Sequence, residues 1–145
     1  MSTAAMDTST RPRSGGKGLH VTLWVVQALL ATAFGMAGSM KLFTPIAELA
    51  ANLPWVAQVP EGLVRLIGAA EFAAAFGLVL PSLARVKPWL TPMAALGLVV
   101  VMVLAAGFHL SRGEANALPI NFVLGALAAF VAWGRTRRAP IAERK

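Results

Sequence analysis

The chain has 145 residues, 57% of them hydrophobic and 13% charged, with a formal net charge of +7 and no cysteine. A mean hydropathy of +0.69 is too high for an ordinary soluble domain of this length, so the chain reads as an integral membrane protein. The absence of cysteine excludes disulfides, thiolate nucleophiles and iron–sulfur ligation. The basic residues sit at the ends of apolar runs rather than on a soluble face, which excludes nucleic acid as a partner.

Residues 1–18 are rich in Ser, Thr, Gly and Arg and carry too little apolar surface to offset the entropy of ordering, so a disordered basic head is expected. The transmembrane domain then occupies residues 19–134. Its apolar runs are Val21–Phe43, Gly62–Leu80, Trp89–Leu110 and Ala117–Gly134, each near the roughly 20 residues that a helix needs to cross hydrocarbon. The first run is longer than the roughly 7–15 residues of a signal-peptide core and is read as a helix. Between the first two spans, Thr44 can cap and Pro45 can start a short helix with Ile46, Leu49, Ala50 and Leu53 on one face, which should lie flat on the membrane surface. The pairs Leu53-Pro54 and Val59-Pro60 end it. Pro81 is expected to close the second span, and Pro88, Pro92 and Pro119 to sit at helix starts, so no kink is expected at mid-membrane. Residues 135–145 form an Arg-rich tail, expected to be disordered like the head, with anionic lipid as the partner of both.

If the N-terminus is cytoplasmic, ten basic residues (Arg11, Arg13, Lys17, Arg85, Lys87, Arg135, Arg137, Arg138, Arg144, Lys145) lie inside and three (Lys41, Arg65, Arg112) outside. The positive-inside bias therefore predicts four spans in the plasma (inner) membrane with both termini cytoplasmic. Trp24, Trp89 and Trp133 at inner helix ends and Trp55 in the outer loop fit the aromatic belts.

This topology gathers polar residues in the outer half: Lys41 and His109 at the ends of spans one and three, Arg65 and Asn121 at the starts of two and four, and Arg112 and Glu114 in the last loop. Gln27 alone stands out in the inner half. Glu71 lies nine residues into its span, roughly 13 Å deep, too far to reach water. A charge there costs about 2.5–3.5 kcal/mol, so it must face the bundle interior and find a partner. Arg65 is about 120° away around the same helix. Lys41, on the antiparallel first span and on a stripe with Ala37, Phe34 and Gln27, is the expected partner. Glu71 is then either half of a buried ion pair that fixes the hairpin or a proton-exchanging group for a ligand. Lys41, Glu71, His109 and Asn121 come from all four helices, with Gly38, Gly68, Ala75, Ala105 and Gly125 around them. They are expected either to line a lipid-accessible pocket or to close into a hydrogen-bonded network. No metal site is expected: His20 and His109 fall at opposite faces and cannot share a haem.

The stretch "AFGMAGSMKLF" closing the first span, "LVRLIGAAEFAAAFGLVLP" across the second, and the third span's ending "GFHLSRGE" resemble the DoxX-like membrane family, over about Leu23 to Trp133. The resemblance implies an all-α membrane protein with four transmembrane helices in an antiparallel bundle. It also implies a small subunit or partner of a quinone-linked redox complex, with Lys41, Arg65, Glu71, His109 and Asn121 as the positions carried over. No covalent cofactor is expected, and a quinone is the ligand best matched. Because the chain holds no electron-transfer centre, an oxidoreductase partner would supply the electrons. Two other readings stay open: a small proton-coupled transporter acting as a self-associated dimer, and a membrane scaffold without a ligand.

Overall fold

The computed structural model describes residues 15–144. The expected disordered head falls mostly on residues 1–14, outside the described residues. Four long apolar helices are joined by short turns: α1 (Gly15–Phe43), α3 (Glu61–Ala84), α4 (Leu90–Ser111) and α5 (Leu118–Trp133), with the short α2 (Ile46–Asn52) between the first two. Each long helix, α5 counted with its flanking turns, is long and apolar enough to cross a membrane. Successive spans are antiparallel, and α1 packs on α3, α3 on α4, α4 on α5, with a thinner α5–α1 seam closing the bundle. The start of α1 and the end of α5 share one end, called here the termini end; α2 and the α4–α5 loop lie at the far end.

The core that joins the helices runs through Leu23, Leu30 and Phe34 of α1, Ala75 and Leu78 of α3, Leu98 and Met102 of α4, and Ala128 and Val131 of α5. Large apolar side chains on the outer faces, such as Val21, Leu29, Phe76, Val103 and Phe122, are exposed, as helices solvated by lipid require. At the far end Leu49, Val56 and Val64 make a smaller second cluster, with Ile46, Ala50 and Leu53 packed on it. The apolar face read from the sequence is therefore the face that α2 buries.

Four boundaries differ from the sequence reading. α1 begins at Gly15, so Gly16 to Gly18 continue the span rather than the head. Thr44 does not cap α2; Pro45 holds that position and the Thr44 carbonyl serves another purpose, described below. α3 runs through Pro81 to Ala84 and is stopped by Arg85 in the left-handed region at φ 55, whose N–H bonds to the Pro81 carbonyl. A proline at this depth removes one intrahelical bond near the helix end, where the last turn loses little by it. Beyond α5, Gly134–Arg138 continue as a wider π turn, so residues assigned to the basic tail are helical and Arg135 is buried.

Candidate functional site

α1 and α3 cross with almost no side-chain spacer. A Cβ on Gly38 would lie 2.6 Å from the Phe72 nitrogen and 2.8 Å from the Gly68 carbonyl oxygen, and one on Gly68 would lie 2.7 Å from the Lys41 Cβ. Both positions require glycine for backbone approach, so Gly38 and Gly68 are filled contacts rather than room for a ligand. The crossing places Lys41 directly over Glu71: Nζ donates to Oε2 at 2.7 Å. Lys41 is 8% and Glu71 4% exposed, so the pair is buried. Glu71, the acid that the sequence places at depth, thus has the partner expected from the helix geometry.

Arg65 completes the crossing without touching Glu71. Its Nη1 donates to the carbonyls of Lys41 at 2.6 Å and Thr44 at 2.9 Å, while Nε and Nη2 bind Glu61 one turn earlier. The last carbonyls of a helix lack intrahelical donors, and a guanidinium there satisfies them and complements the helix dipole. Arg65 therefore clamps the end of α1 onto the start of α3.

His109 lies apart from this pair. Its Nδ1 is 2.6 Å from Glu114 Oε2, and Arg112 Nε donates to Glu114 Oε1 at 2.8 Å and its Nη2 to Gln58. A carboxylate only accepts, so Nδ1 carries the proton and Nε2 is the ring nitrogen left for a ligand. Hydrogen bonds from His109 and Arg112 hold the Glu114 carboxyl below its usual range. His109 also lines a cavity of about 260 Å³ walled by Trp55, Leu63, Ile67, Leu104, Ala105 and Phe108. Trp55 and Phe108 meet edge to face at 5.8 Å in its wall.

Asn121 is 8% exposed and its amide nitrogen has no hydrogen-bond partner among the described residues. No hydrogen bond among the described residues links His109 or Asn121 to the Lys41–Glu71 pair. The expected four-helix convergence is therefore corrected: Lys41, Glu71 and Arg65 gather at the α1–α3 crossing, while His109 lies at the α3–α4 cavity, which Glu71 does not line. The reason lies in helix rotation. Glu71 faces α1, with Gly68 and Ala75 on its face, whereas Leu63 and Ile67 turn toward α4. Of the small residues expected to leave room, Ala105 alone lines this cavity, and Gly125 is filled by Met102.

The sequence also underrates the termini end. Gln27 is fully buried and its amide donates to the Leu78 carbonyl, while Arg135 Nε donates to Gln27 Oε1 at 2.6 Å. Ser82 and Thr91 share a buried hydroxyl–hydroxyl bond of 2.7 Å between α3 and α4. Their signal was present in the sequence, as polar residues within helical reach of the span ends.

These features define a four-helix integral membrane protein whose first hairpin is locked by an intramembrane ion pair. The family model for the DoxX-like family matches residues 25–131, more than half of the chain. The protein belongs to the DoxX-like family. No curated protein and no solved structure matches it.

Proposed function

We propose that the chain is a small membrane subunit that binds a quinone ring in the far-end cavity and works with an oxidoreductase partner. One observation carries the reading: an aromatic, apolar cavity of about 260 Å³ bears a single titratable side chain, His109, held by Glu114. Ligand pockets commonly measure about 300–1,000 Å³, so this one suits a single small ring with its tail in lipid. Trp55 and Phe108 give such a ring faces to stack on, and Ile67 and Leu104 exclude water.

Reduction of a bound quinone would take two electrons, supplied by the oxidoreductase partner, and two protons, of which His109 could deliver one at the ring oxygen it faces and water at the cavity mouth the other. His109 supplies a hydrogen bond or proton through Nε2 when the ring is doubly protonated, and Glu114 keeps the ring oriented through Nδ1. Lys41 and Glu71 support this site indirectly, by fixing the α1–α3 hairpin. The transporter reading needs Glu71 to release Lys41 and take a cation, and nothing at the crossing favours that exchange. The localisation in a plasma membrane with cytoplasmic termini belongs to the same reading and rests on the distribution of Lys and Arg.

Ligand-induced stabilisation tests the proposal. A short-chain quinone should raise the melting temperature of the detergent-solubilised protein with dose, and His109→Phe should remove most of the rise. Glu71→Gln should lower the starting temperature yet leave the rise. No shift in the wild type, or an equal shift in His109→Phe, sinks the quinone site.

A further inference from the structure

The termini end holds a cation that lacks a counter-ion. Arg135 is 4% exposed, and its guanidinium lies over the Trp24 ring, 5.2 Å from the centroid. Among the described residues, no carboxylate lies within ion-pair distance of it. Its Nη2 is buried and has no hydrogen-bond partner among the described residues.

Counting donors and acceptors sharpens this. Arginine brings five N–H groups and the Trp24 indole one. Three acceptors face them: Gln27 Oε1 at 2.6 Å from Nε, the Ala139 carbonyl at 3.3 Å from Nη1, and His20. His20 serves only one neighbour at a time. Trp24 Nε1 points at its Nε2 at 3.1 Å and Arg135 Nη1 at its Nδ1 at 3.2 Å. A neutral imidazole has one lone-pair nitrogen, so the other ring nitrogen bears a proton that faces a donor. The cluster therefore has surplus N–H groups, one surplus charge and too few oxygens.

We propose that Arg135 and His20 form a binding site for a phosphate-ester anion at the termini end of the bundle. The oxygens of a phosphate supply several acceptors on one centre, enough for the two Nη2 N–H groups and the stranded His20 N–H. The charge balances the guanidinium, whose burial unpaired is costly. Position favours the same ligand. Trp24 and Trp133 mark this end as the interface, where phosphate esters of lipids lie, and exposed Lys17, Arg85, Lys87, Arg137, Arg138 and Arg144 outnumber Glu143 at the same end, so its net charge is positive. His20 is exposed, so its ring is the part of the cluster that a ligand meets first. This site is independent of the quinone cavity at the far end.

Two probes separate the sources of phosphate. Native mass spectrometry measures retention of phosphatidylglycerol against phosphatidylcholine, and thermal shift measures stabilisation by inorganic phosphate. Selective retention of phosphatidylglycerol that falls about tenfold or more in Arg135→Gln supports a lipid ligand, the loss expected for a charge-assisted bond. A shift with inorganic phosphate, lost in the same variant and without selective lipid retention, supports a soluble phosphate ester at this site. The control is the triple variant Arg137→Gln, Arg138→Gln, Arg144→Gln, which should keep binding. If Arg135→Gln does not fold, the exposed His20→Leu replaces it and should weaken binding. Neither probe binding the wild type, binding unchanged in Arg135→Gln or His20→Leu, or binding lost only in the triple variant overturns the proposal.

Discussion

The Lys41–Glu71 pair can be weighed by a double-mutant cycle. Both residues are buried and meet at 2.7 Å, so removing one partner strands the other in a dry crossing. Lys41→Met keeps the length of the stem but leaves a buried carboxylate without its cation, a change that typically costs about 3–5 kcal/mol. Glu71→Gln keeps an oxygen that can accept from Nζ, so the loss is the difference between a charge-assisted and a neutral hydrogen bond, about 1–2 kcal/mol. The Lys41 ammonium left behind also sits in the last turn of α1, where the helix dipole favours a cation. Glu71→Gln should therefore be the milder variant. The double variant removes both charges together and should fall short of the sum of the singles by about 1–3 kcal/mol. Reversible unfolding in mixed micelles, with the four proteins compared under one protocol, gives the coupling. Strictly additive losses, or a Glu71 variant worse than the Lys41 variant, would refute the account of the pair as a mutual shield.

Gly38→Ala should destabilise by about 1–3 kcal/mol, near the upper end because both obstructing atoms at 2.6 and 2.8 Å are backbone; a change within experimental error would show that the helices are not in contact there. The Glu114 carboxyl sits below its usual range, so the stability it contributes is present above the unfolded pKa and lost as pH falls through the lower folded value. The melting temperature should drop across that acid window, and Glu114→Gln should flatten the drop; an unchanged profile in the variant would exclude Glu114 as the source. A reporter fused at Lys145 should be active only in the cytoplasm and one within residues 50–58 only outside it, and the reverse pattern would invert the topology read from the Lys/Arg bias.

Much of this fold was legible because hydrocarbon imposes few solutions. Four apolar runs of span length admit four helices and little else, and one deep carboxylate must find a cation within reach of its own depth. The partner followed from the angles: six residues turn Arg65 away from Glu71, while the antiparallel neighbour brings Lys41 level with it. Rotation of one helix against two neighbours was not legible. Nothing in "LIGAAEF" states that Gly68 and Glu71 face α1 while Ile67 faces α4, so four polar positions at similar depth were expected to converge and did not. Helix ends were also misread where composition changes before the backbone does. Arg135 follows the last apolar residue and reads as tail, yet the π turn carries its guanidinium back to Gln27, 108 positions away in the chain.

The two polar ends are separated by a dry middle. From Lys41 to Gln27 along α1 is fourteen residues, about 21 Å of helix, and the face between them is filled by Leu30 and Phe34. Ala75 and Leu78 of α3, Leu98 and Met102 of α4 and Ala128 of α5 belong to the same core, all buried. A proton or cation passing from Glu71 to the termini end would have to cross this layer, or part α1 from α3 at two glycines whose backbones are already in contact. Exchange with the surroundings is far easier sideways: the cavity beside His109 is walled by lipid-facing helices, and His20 opens the Arg135 cluster at the membrane surface. The bundle thus has two separate polar ends, with a buried apolar core between them. Under the proposed function, an electron-donating partner would dock at the far end, where Trp55 and His109 line the cavity and Arg112 donates to Gln58, because the buried core lies between that end and the termini.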